Sequence, residues 1–293
     1  MNTQRHVDHS PIIIDSHVHI FPPEIIAHRG RYCDDGAFRV LYSSPGARMC
    51  DHEILLKTMD EAGIAHAVAL GFPWRRTEHC RLHNRYMREV ARESGGRIIP
   101  FGSVPVWDEY AVADAVHEIV DLGLAGIGEI AWYDSGIDRR SEAALHAIFS
   151  AAGNASLPVC LHVNEQVGHR YPGKQSVDFM LLYEAVKRHP DVVIILAHWG
   201  GGILFYELMK EVREAFKNVY YDTAATPYLY DDAIYSIATD IVGAEKVLFG
   251  SDYPLINPLR YIDTIRGMNI HTNTKEAILG VNARKAIKLQ KKQ

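Results

Sequence analysis

Short apolar runs rich in valine and isoleucine alternate along this chain with longer stretches whose apolar residues recur at helical spacing. Eight such runs occur, from IIIDSHVHI at Ile12 to KVLFGSD at Lys246, and a helical stretch follows each of them. Apolar runs of this length are typical of strands buried on both faces of a parallel sheet. The pattern therefore predicts an α/β fold, a (β/α)8 TIM barrel over about residues 11–290, in a single domain of residues 1–293.

The connections between the predicted strands differ in length and polarity. The first is the longest, because the stretch from His28 to Cys50 is rich in glycine and arginine and is predicted to be an extended polar loop. A helix is predicted after it, from about Asp51 to Ala62. Another is predicted from about Ile203 to Phe216, after the sixth strand.

The first strand carries two histidines. Asp15, His17 and His19 alternate with Ser16 and Val18, and side chains two residues apart on a strand point to the same face. Both imidazoles therefore leave one end of the strand side by side. Two histidines on a rigid element are half of a metal site. For this strand alone, a pair of packed structural histidines is the alternative interpretation.

Other predicted strands place further metal-binding side chains at their carboxyl ends. Glu129 ends the fourth strand, His162 the fifth, His198 the sixth and Asp252 the eighth. In a (β/α)8 barrel these ends form one rim, on which the active site lies. A single histidine at a strand end is usually structural. Ligands from five strands on one rim, however, indicate a metal centre.

The composition limits the class of protein. Of the 293 residues, 47% are hydrophobic and 23% are charged, as in ordinary globular proteins. The formal charge of −5 gives no indication of a nucleic-acid or membrane partner, and no apolar run reaches the ~18 residues of a membrane span. The first eleven residues lack the apolar core of a signal peptide, and the four cysteines form no CxxC pair. We therefore expect a cytoplasmic protein, and a homo-oligomer is left open.

Several segments resemble the amidohydrolase superfamily. IDSHVHIFPP, LHV, AHWGGG, FGSDYP and LGVNARKAI are most similar to its amidohydrolase-related branch, which contains metal hydrolases and nonoxidative decarboxylases. The resemblance spans about residues 12–287. It implies a divalent metal that is bound by His17, His19, His162 and Asp252.

The resemblance leaves the roles of His198 and Glu129 open. It implies that His198 is a ligand of a second metal, or contacts the substrate where one metal is bound. Some members of the superfamily bridge two metals with a glutamate or a carboxylated lysine on the fourth strand, whereas the decarboxylases lack a bridging acid there. Glu129 therefore favours a two-metal hydrolase. The alternative is a structural glutamate paired with an arginine.

We accordingly expect a metal-dependent hydrolase that cleaves an amide, lactone or ester of a small molecule. One or two divalent metal ions, zinc by default, would activate a water molecule. Asp252 and His198 are the expected catalytic residues, with Asp252 as proton shuttle, and Asp15 is a candidate acceptor that orients a ligand histidine. The first alternative is a nonoxidative decarboxylase of an aromatic or unsaturated carboxylic acid, in which Asp252 gives a proton to carbon. The second is a metal-binding sensor without catalysis.

Charged and aromatic residues on the rim loops indicate an anionic substrate. Arg75 follows the second strand and Trp199 follows the sixth, while the loop after the fifth strand contains His169, Tyr171 and Lys174. These five residues are the predicted substrate-binding residues. Solvated loop charges and edges of the core are the alternative interpretation.

Overall fold

Eight parallel strands form a barrel in the computed structural model, which describes residues 12–289. Neighbours in the barrel are neighbours in the chain: β1 Ile13–His19, β2 Ile64–Leu70, β3 Ile98–Gly102, β4 Gly126–Ile130, β5 Val159–Leu161, β6 Ile194–Leu196, β7 Val219–Asp222 and β8 Val247–Leu248. Backbone hydrogen bonds from Ser16 to Phe249 (2.8 Å) and from Asp252 to His17 (2.9 Å) join the first strand to the last. The predicted (β/α)8 fold is confirmed.

Helices lie around the barrel and at its two ends. They are α1 Pro23–Ala27, α2 Gly36–Tyr42, α3 His52–Ala62, α4 Thr77–Glu93, α5 Val112–Asp121, α6 Glu142–Ala155, α7 Phe179–Arg188, α8 Lys210–Ala215, α9 Thr226–Leu229, α10 Ala233–Val242, α11 Pro258–Gly267, α12 Thr272–Glu276 and α13 Asn282–Ala286. Short 3₁₀ segments occupy Arg29–Tyr32 and Ala244–Lys246, and a π-helical turn covers Ala277–Val281. Within residues 12–289, none of these helices has the length and apolar character needed to cross a membrane. The first eleven residues, on which the signal-peptide prediction rests, lie outside the described part of the chain.

The barrel interior is filled by apolar side chains from most of its strands, with Ile14, Phe101, Cys160 and Leu248 among them. Side chains of α13 belong to the same cluster, so this helix closes the end of the barrel opposite to the catalytic rim. The pairing of β1 with β2 shifts register between Asp15 and Val18. Because of this irregularity, Ile14 and not Asp15 packs in the interior cluster below the two histidines.

The first βα connection is more ordered and more apolar than the sequence suggests. It contains α1, a 3₁₀ turn and α2, and its aromatic side chains form a buried cluster with those that follow β2. Asp35 caps α2 by accepting from the amides of Ala37 (3.1 Å) and Phe38 (3.3 Å), and it also accepts from the amide of Arg75 (2.7 Å). The predicted polar loop is therefore a small aromatic subdomain attached to the rim.

His83 holds this aromatic cluster together as a neutral side chain. Its Nε2–H donates to the carbonyl of Ile20 (2.9 Å), and its Nδ1 accepts from the indole N–H of Trp74 (3.2 Å) and the amide of Phe72 (3.4 Å). A second proton on the ring has no acceptor to meet. Burial accordingly lowers the pKa of His83 to about 4.

We therefore expect His83 to make the protein less stable in mild acid. Its folded pKa lies below the unfolded value of about 6.5, so the unfolded chain takes up the proton first as the pH falls. The loss begins near pH 6.5 and reaches about 3 kcal/mol of the free energy of unfolding below about pH 4. Urea unfolding at pH 7.5 and pH 5 measures this decrease in the free energy of unfolding. His83→Gln keeps an acceptor and a donor without titrating, and should show a shallower pH dependence; equal slopes would contradict the assignment.

The segment after β6 differs from the single helix predicted over Ile203–Phe216. Residues 198–202 form a left-handed turn with positive φ, a 3₁₀ helix continues to Leu208, and α8 begins only at Lys210. Glycine is required in this turn, since a Cβ on Gly201 would lie 2.3 Å from the carbonyl oxygen of Asn164. The extended backbone of Met209 separates the two helical pieces. The predicted continuous helix is wrong.

Candidate active site and metal centre

The six predicted metal ligands meet at the carboxyl ends of the strands. They lie in β1 and β4 or in the residues that follow β5, β6 and β8: His17, His19, Glu129, His162, His198 and Asp252. Among the described residues, three groups that share His17 each bring one ligand atom per residue within 4.8 Å of one another. Two of them consist of predicted ligands, namely His17 with His19 and Asp252, and His17 with Glu129 and His198, and the third joins His17 to Cys160 and Asp222. The barrel therefore assembles a cluster of nitrogen and oxygen donors from distant parts of the chain.

The first group has its donor atoms in close contact. His17 Nε2 lies 3.1 Å from His19 Nε2, and Asp252 Oδ1 lies 3.3 Å from His19 Nε2 and 3.8 Å from His17 Nε2. Both histidines come from β1, as the alternation of its side chains predicts. Asp252 reaches them because the backbone N–H of Asp252 is bonded to the carbonyl of His17.

Glu129 lies at the centre of the cluster. Its Oε1 is 2.9 Å from His162 Nδ1, 3.7 Å from His198 Nε2 and 3.8 Å from His17 Nε2. Its Oε2 is 3.7 Å from His19 Nε2 and accepts a hydrogen bond from the hydroxyl of Tyr133 (3.1 Å). Within residues 12–289, Glu129 therefore faces four imidazoles and pairs with no arginine.

Three of the histidines are held from behind by acceptors. The Nδ1–H of His17 donates to Asp222 Oδ2 (2.8 Å), the Nδ1–H of His198 donates to the carbonyl of Ala224 (3.0 Å), and the Nε2–H of His162 donates to the carbonyl of Gly173 (3.1 Å). Each neutral ring therefore presents the lone pair of its other nitrogen to the cluster.

The ring nitrogens that point into the cluster face each other at short range. His17 meets His19 with 3.1 Å between two Nε2 atoms, and His162 Nδ1 lies 3.1 Å from His198 Nε2. Two lone pairs at this separation repel unless positive charge lies between them, as a proton or as a metal ion. Histidine and carboxylate donors in this arrangement are the ligands that zinc, manganese and related divalent ions prefer. The residues present therefore fit a divalent metal.

The carboxylates keep the cluster attractive to cations. Burial would raise the pKa of Glu129, but the charges of His162 and His17 hold it well below its usual value. Burial also opposes ionisation of Asp252, yet a hydrogen bond from His19 and the charge of His17 lower its pKa. For His198, burial is outweighed by the neighbouring carboxylates of Glu129 and Asp252, so its pKa rises to about 9. The carboxylates of Glu129 and Asp252 therefore compensate the positive charge that the histidines gather.

A cavity of about 690 Å³ opens directly onto this cluster. His19, Glu129, His162, His198 and Asp252 form its floor. Its walls are largely aromatic and apolar, and they include Tyr42, Phe72, Tyr133, Tyr171, Tyr228 and Leu255. Among the described residues that line it, Arg48 is the one arginine or lysine. Arg48 lies at the mouth, where its Nη1 donates to the carbonyl of Leu255 (3.1 Å).

Two of the five predicted substrate-binding residues, His169 and Tyr171, line the cavity. The structure does not bring the other three to it. The guanidinium of Arg75 pairs with Asp134 (2.6 Å) and lies over Trp107, and the ammonium of Lys174 donates to the carbonyls of Val167 and His169.

The third residue outside the cavity is Trp199. Its ring is fully buried, and its indole N–H donates to the hydroxyl of Thr226 (2.8 Å). The left-handed turn that begins at His198 carries this side chain into the core and away from the rim. Trp199 therefore packs behind the site.

Asp222 is a further candidate site residue, which the pattern of predicted ligands does not include. It is fully buried, and besides His17 it binds the backbone amides of His198 (2.9 Å) and Ala224 (3.0 Å) through Oδ1. The available signal was its position at the end of β7. Asp15, the expected acceptor, instead binds the amides of His17 and Ser251 through Oδ1 and contacts no histidine ring through this oxygen.

The family of the chain follows from a family model. The model described as Amidohydrolase matches residues 14–289. The chain belongs to the amidohydrolase family. This confirms the resemblance to the amidohydrolase-related branch on the segments that carry the cluster and the cavity.

Solved structures with this amidohydrolase fold are similar over nearly their full length. A 5-carboxyvanillate decarboxylase from Sphingomonas paucimobilis is 19% identical with a TM-score of 0.77, covering 96% of this chain and 100% of its own. A second structure is a 5-carboxyvanillate decarboxylase from Novosphingobium aromaticivorans, complexed with manganese and 4-hydroxy-3-methoxy-5-nitrobenzoic acid. It is 18% identical with a TM-score of 0.76, and the match covers 96% of this chain and 97% of the neighbour. A 2,6-dihydroxybenzoate decarboxylase from Rhizobium is 19% identical with a TM-score of 0.69, covering 96% and 99%.

These neighbours contradict the expectation of a hydrolase. They are named as decarboxylases, so the prediction of amide, lactone or ester hydrolysis is wrong, and the decarboxylase alternative agrees better with them. The expectation depended on Glu129 as a mark of two-metal hydrolysis. Glu129 does lie among the predicted ligands, but its presence there does not select hydrolysis.

Proposed function

We propose that this amidohydrolase is a metal-dependent nonoxidative decarboxylase of a small aromatic carboxylic acid. The observation that carries the proposal is the aromatic-walled cavity that opens directly onto a cluster of histidines and carboxylates. A cavity of about 690 Å³ has room for one substituted benzene ring. The decarboxylases with similar structures support the same reaction class.

The metal would be held by His17, His19, His162 and Asp252, with Glu129 and His198 beside them. Manganese is proposed besides zinc, because a neighbour of this fold is complexed with manganese. When bound, a divalent metal would neutralise the substrate's anionic oxygens and withdraw electron density from the carboxylated ring.

Asp252 is proposed to protonate the ring. The substrate is anionic, and a like charge beside a carboxylate raises its pKa, so substrate binding favours the protonated form of Asp252. The proton is added to the ring carbon that carries the carboxylate, and the C–C bond then breaks. Its electron pair returns to the ring and CO2 leaves. The reaction consumes one proton, which Asp252 regains from solvent, to which it is partly exposed.

The aromatic walls would orient the ring, and His198 on the cavity floor would hold the carboxylate or its neighbouring hydroxyl. Tyr133 is well placed to orient the substrate ring. Its own ring packs against that of His162 (5.0 Å between centroids), and its hydroxyl donates to Glu129. Tyr171 faces the same space, with its hydroxyl donated to Glu165 (3.0 Å). Both rings are therefore fixed before substrate enters.

Arg48→Met is expected to raise KM for an anionic substrate by about tenfold, the scale of one partly exposed charged hydrogen bond. Turnover should change less, because Arg48 lies at the mouth and not beside the reacting carbon. Steady-state kinetics with metal-loaded protein measure both constants. Arg75→Met is the matched control, since Arg75 lies outside the cavity and its loss should leave KM unchanged. Equal effects of the two substitutions would contradict a role for Arg48.

The proposed function is tested by CO2 release. Protein loaded with manganese or zinc is incubated without oxidant with a panel of hydroxylated aromatic acids that includes 5-carboxyvanillate and 2,6-dihydroxybenzoate. We expect one CO2 per product, and in D2O one deuterium at the carbon that carried the carboxylate. Loaded protein that releases no CO2 from any acid of the panel would refute the proposal.

A further inference from the structure

The cavity above the metal cluster is larger than one aromatic ring requires. Its volume is about 690 Å³, whereas a cavity of about 150 Å³ is enough to hold benzene. A ring that carries a carboxylate and two hydroxyls has fewer than twice the non-hydrogen atoms of benzene, so it fills less than about half of this volume. Ligand pockets commonly enclose about 70–90% of the surface of their ligand. The remaining space is therefore available to a further part of the substrate.

The exposure of the lining residues divides the cavity into an inner and an outer part. Phe72 and His162 are buried, whereas the side chains of Tyr228 and Leu255 at the mouth are 59% and 43% exposed. Large apolar side chains also line the rest of this mouth. We call the outer chamber the part of the cavity that is lined by Leu41, Ala47, Tyr228, Leu229 and Leu255.

The walls next to the outer chamber present aromatic rings more than hydrogen-bonding groups. The hydroxyl of Tyr171 donates to Glu165 (3.0 Å), and that of Tyr133 donates to Glu129 (3.1 Å). Both tyrosines therefore offer the cavity their rings, while their hydroxyls already have acceptors. A polar group that is moved from water to such walls loses hydrogen bonds that the walls do not replace. The chamber therefore favours an apolar occupant.

Hydrogen bonds fix the segments that form the outer chamber. Arg29 Nη1 donates to the carbonyls of Ser44 (2.9 Å) and Ala47 (3.2 Å), which holds this part of the first βα connection in place. Arg48 Nη1 donates to the carbonyl of Leu255 (3.1 Å) and joins the same connection to the residues after β8. A preformed chamber loses little conformational entropy when a ligand enters. It is therefore suited to hold part of a substrate.

We propose that the substrate is an aryl carboxylic acid with a large apolar substituent, about the size of a second ring, on the side of the ring away from the carboxylate. The inference rests on the proposed function, in which the carboxylate of the substrate faces the floor of the cavity. The opposite side of the ring then points into the outer chamber. The substituent would cover apolar surface of Tyr228 and Leu255 that is otherwise exposed to water.

Titration calorimetry of manganese-loaded protein with 2-nitrophenol and with 2-nitro-5-phenylphenol tests the proposal. A nitro group has the shape of a carboxylate but cannot leave as CO2, so binding is measured without turnover. The phenyl group lies para to the nitro group and should enter the outer chamber. It should tighten binding by about 20-fold or more, at the usual ligand efficiency of its carbon atoms. Equal affinities, or no binding of either compound, would overturn the proposal.

Two substitutions locate the preference in the outer chamber. Tyr228→Ser combined with Leu255→Ser should lower the preference for the phenyl compound by about tenfold, because roughly 50–60 Å² of apolar contact is lost. The affinity for 2-nitrophenol should stay unchanged, which shows that the floor is intact. Tyr110→Ser combined with Leu259→Ser is the matched control, since these exposed side chains do not belong to the described residues that line the cavity.

The single variants Tyr228→Ser and Leu255→Ser cover a misfolded double variant, and each should lower the preference by about threefold. The control should bind both nitrophenols as the wild type does. Folded variants that keep the full preference for the phenyl compound would overturn the assignment of the outer chamber.

Release of CO2 from 2-hydroxybenzoate and 2-hydroxy-4-phenylbenzoate separates this inference from the proposed function. We expect kcat/KM to be about 20-fold higher for the phenyl acid. Equal kcat/KM for the two acids would overturn the inference and leave decarboxylation in place. A binding preference for the phenyl compound without CO2 from either acid would contradict decarboxylation, and it would still support the outer chamber as a ligand site.

Discussion

Replacing Asp252 by asparagine is expected to lower decarboxylation by about 100-fold or more while the fold stays intact. The amide has the shape of the carboxyl group but carries no acidic proton, and loss of a general acid typically costs 10²–10⁴-fold in rate. Asp252 has a φ of 61°, and asparagine tolerates this left-handed conformation best among non-glycine residues. Turnover and metal content are measured on the same samples, so that loss of metal is not taken for loss of the proton donor.

Asp134→Asn is the matched control for Asp252. It removes the same charge from the rim, but Asp134 pairs with Arg75 and does not line the cavity. Its turnover should therefore equal that of the wild type. If Asp252→Asn with full metal content turns over as fast as the control, another group delivers the proton. His198 would be the first to examine, since it shares the cavity floor.

The positions of the candidate ligands could be predicted because they follow from chain order and strand direction. Once eight parallel strands are recognised, their carboxyl ends share one rim, and polar residues at those ends must meet. His17 and His198 illustrate this, since they are far apart in the sequence and their rings lie together in the cluster. The alternation of side chains along β1 also placed both of its histidines on one side, although the register with β2 shifts between Asp15 and Val18.

Contacts that depend on loop conformation could not be predicted from the sequence. Trp199 follows His198 directly, and only the left-handed turn decides that its ring packs in the core. The aromatic residues of the first βα connection are scattered among glycines and arginines, so no periodicity marks them as a cluster. Tyr133 reaches Glu129 from the residues after β4. Such contacts between irregular segments have no repeating pattern from which they could be inferred.

The hydrolase expectation failed because one residue type was used to choose between two reactions. A buried carboxylate among four imidazoles lowers the electrostatic energy of the cluster whether it holds one metal, two metals or only protons. Glu129 satisfies this requirement through its contacts with His162 and His17. The decarboxylase proposal depends instead on the cavity above it, whose aromatic walls consist of side chains from several loops.

Asp222→Asn is expected to weaken metal binding by about 10–100-fold, the usual effect of losing a group that orients a ligand histidine. Asp222 accepts from the ring of His17 with one oxygen and from the amides of His198 and Ala224 with the other. An asparagine must turn its NH2 group toward one of these donors. If it faces His17, the ring is favoured in the other tautomer, and the nitrogen that points into the cluster then carries a proton instead of a lone pair.

Competition with a metal-binding indicator measures the affinity, and ¹⁵N NMR of the histidine rings reports the tautomer of His17 directly. Glu207→Gln is the matched control: Glu207 is an equally buried carboxylate bound to Tyr221 (2.7 Å) and Lys246 (2.7 Å), and it has no contact with the cluster among the described residues. It should lose stability but keep its metal affinity. If Asp222 were purely structural, Asp222→Asn would likewise lose stability and keep its metal affinity. Weaker metal binding and a changed His17 tautomer in Asp222→Asn alone would identify Asp222 as the residue that sets the orientation of the first ligand.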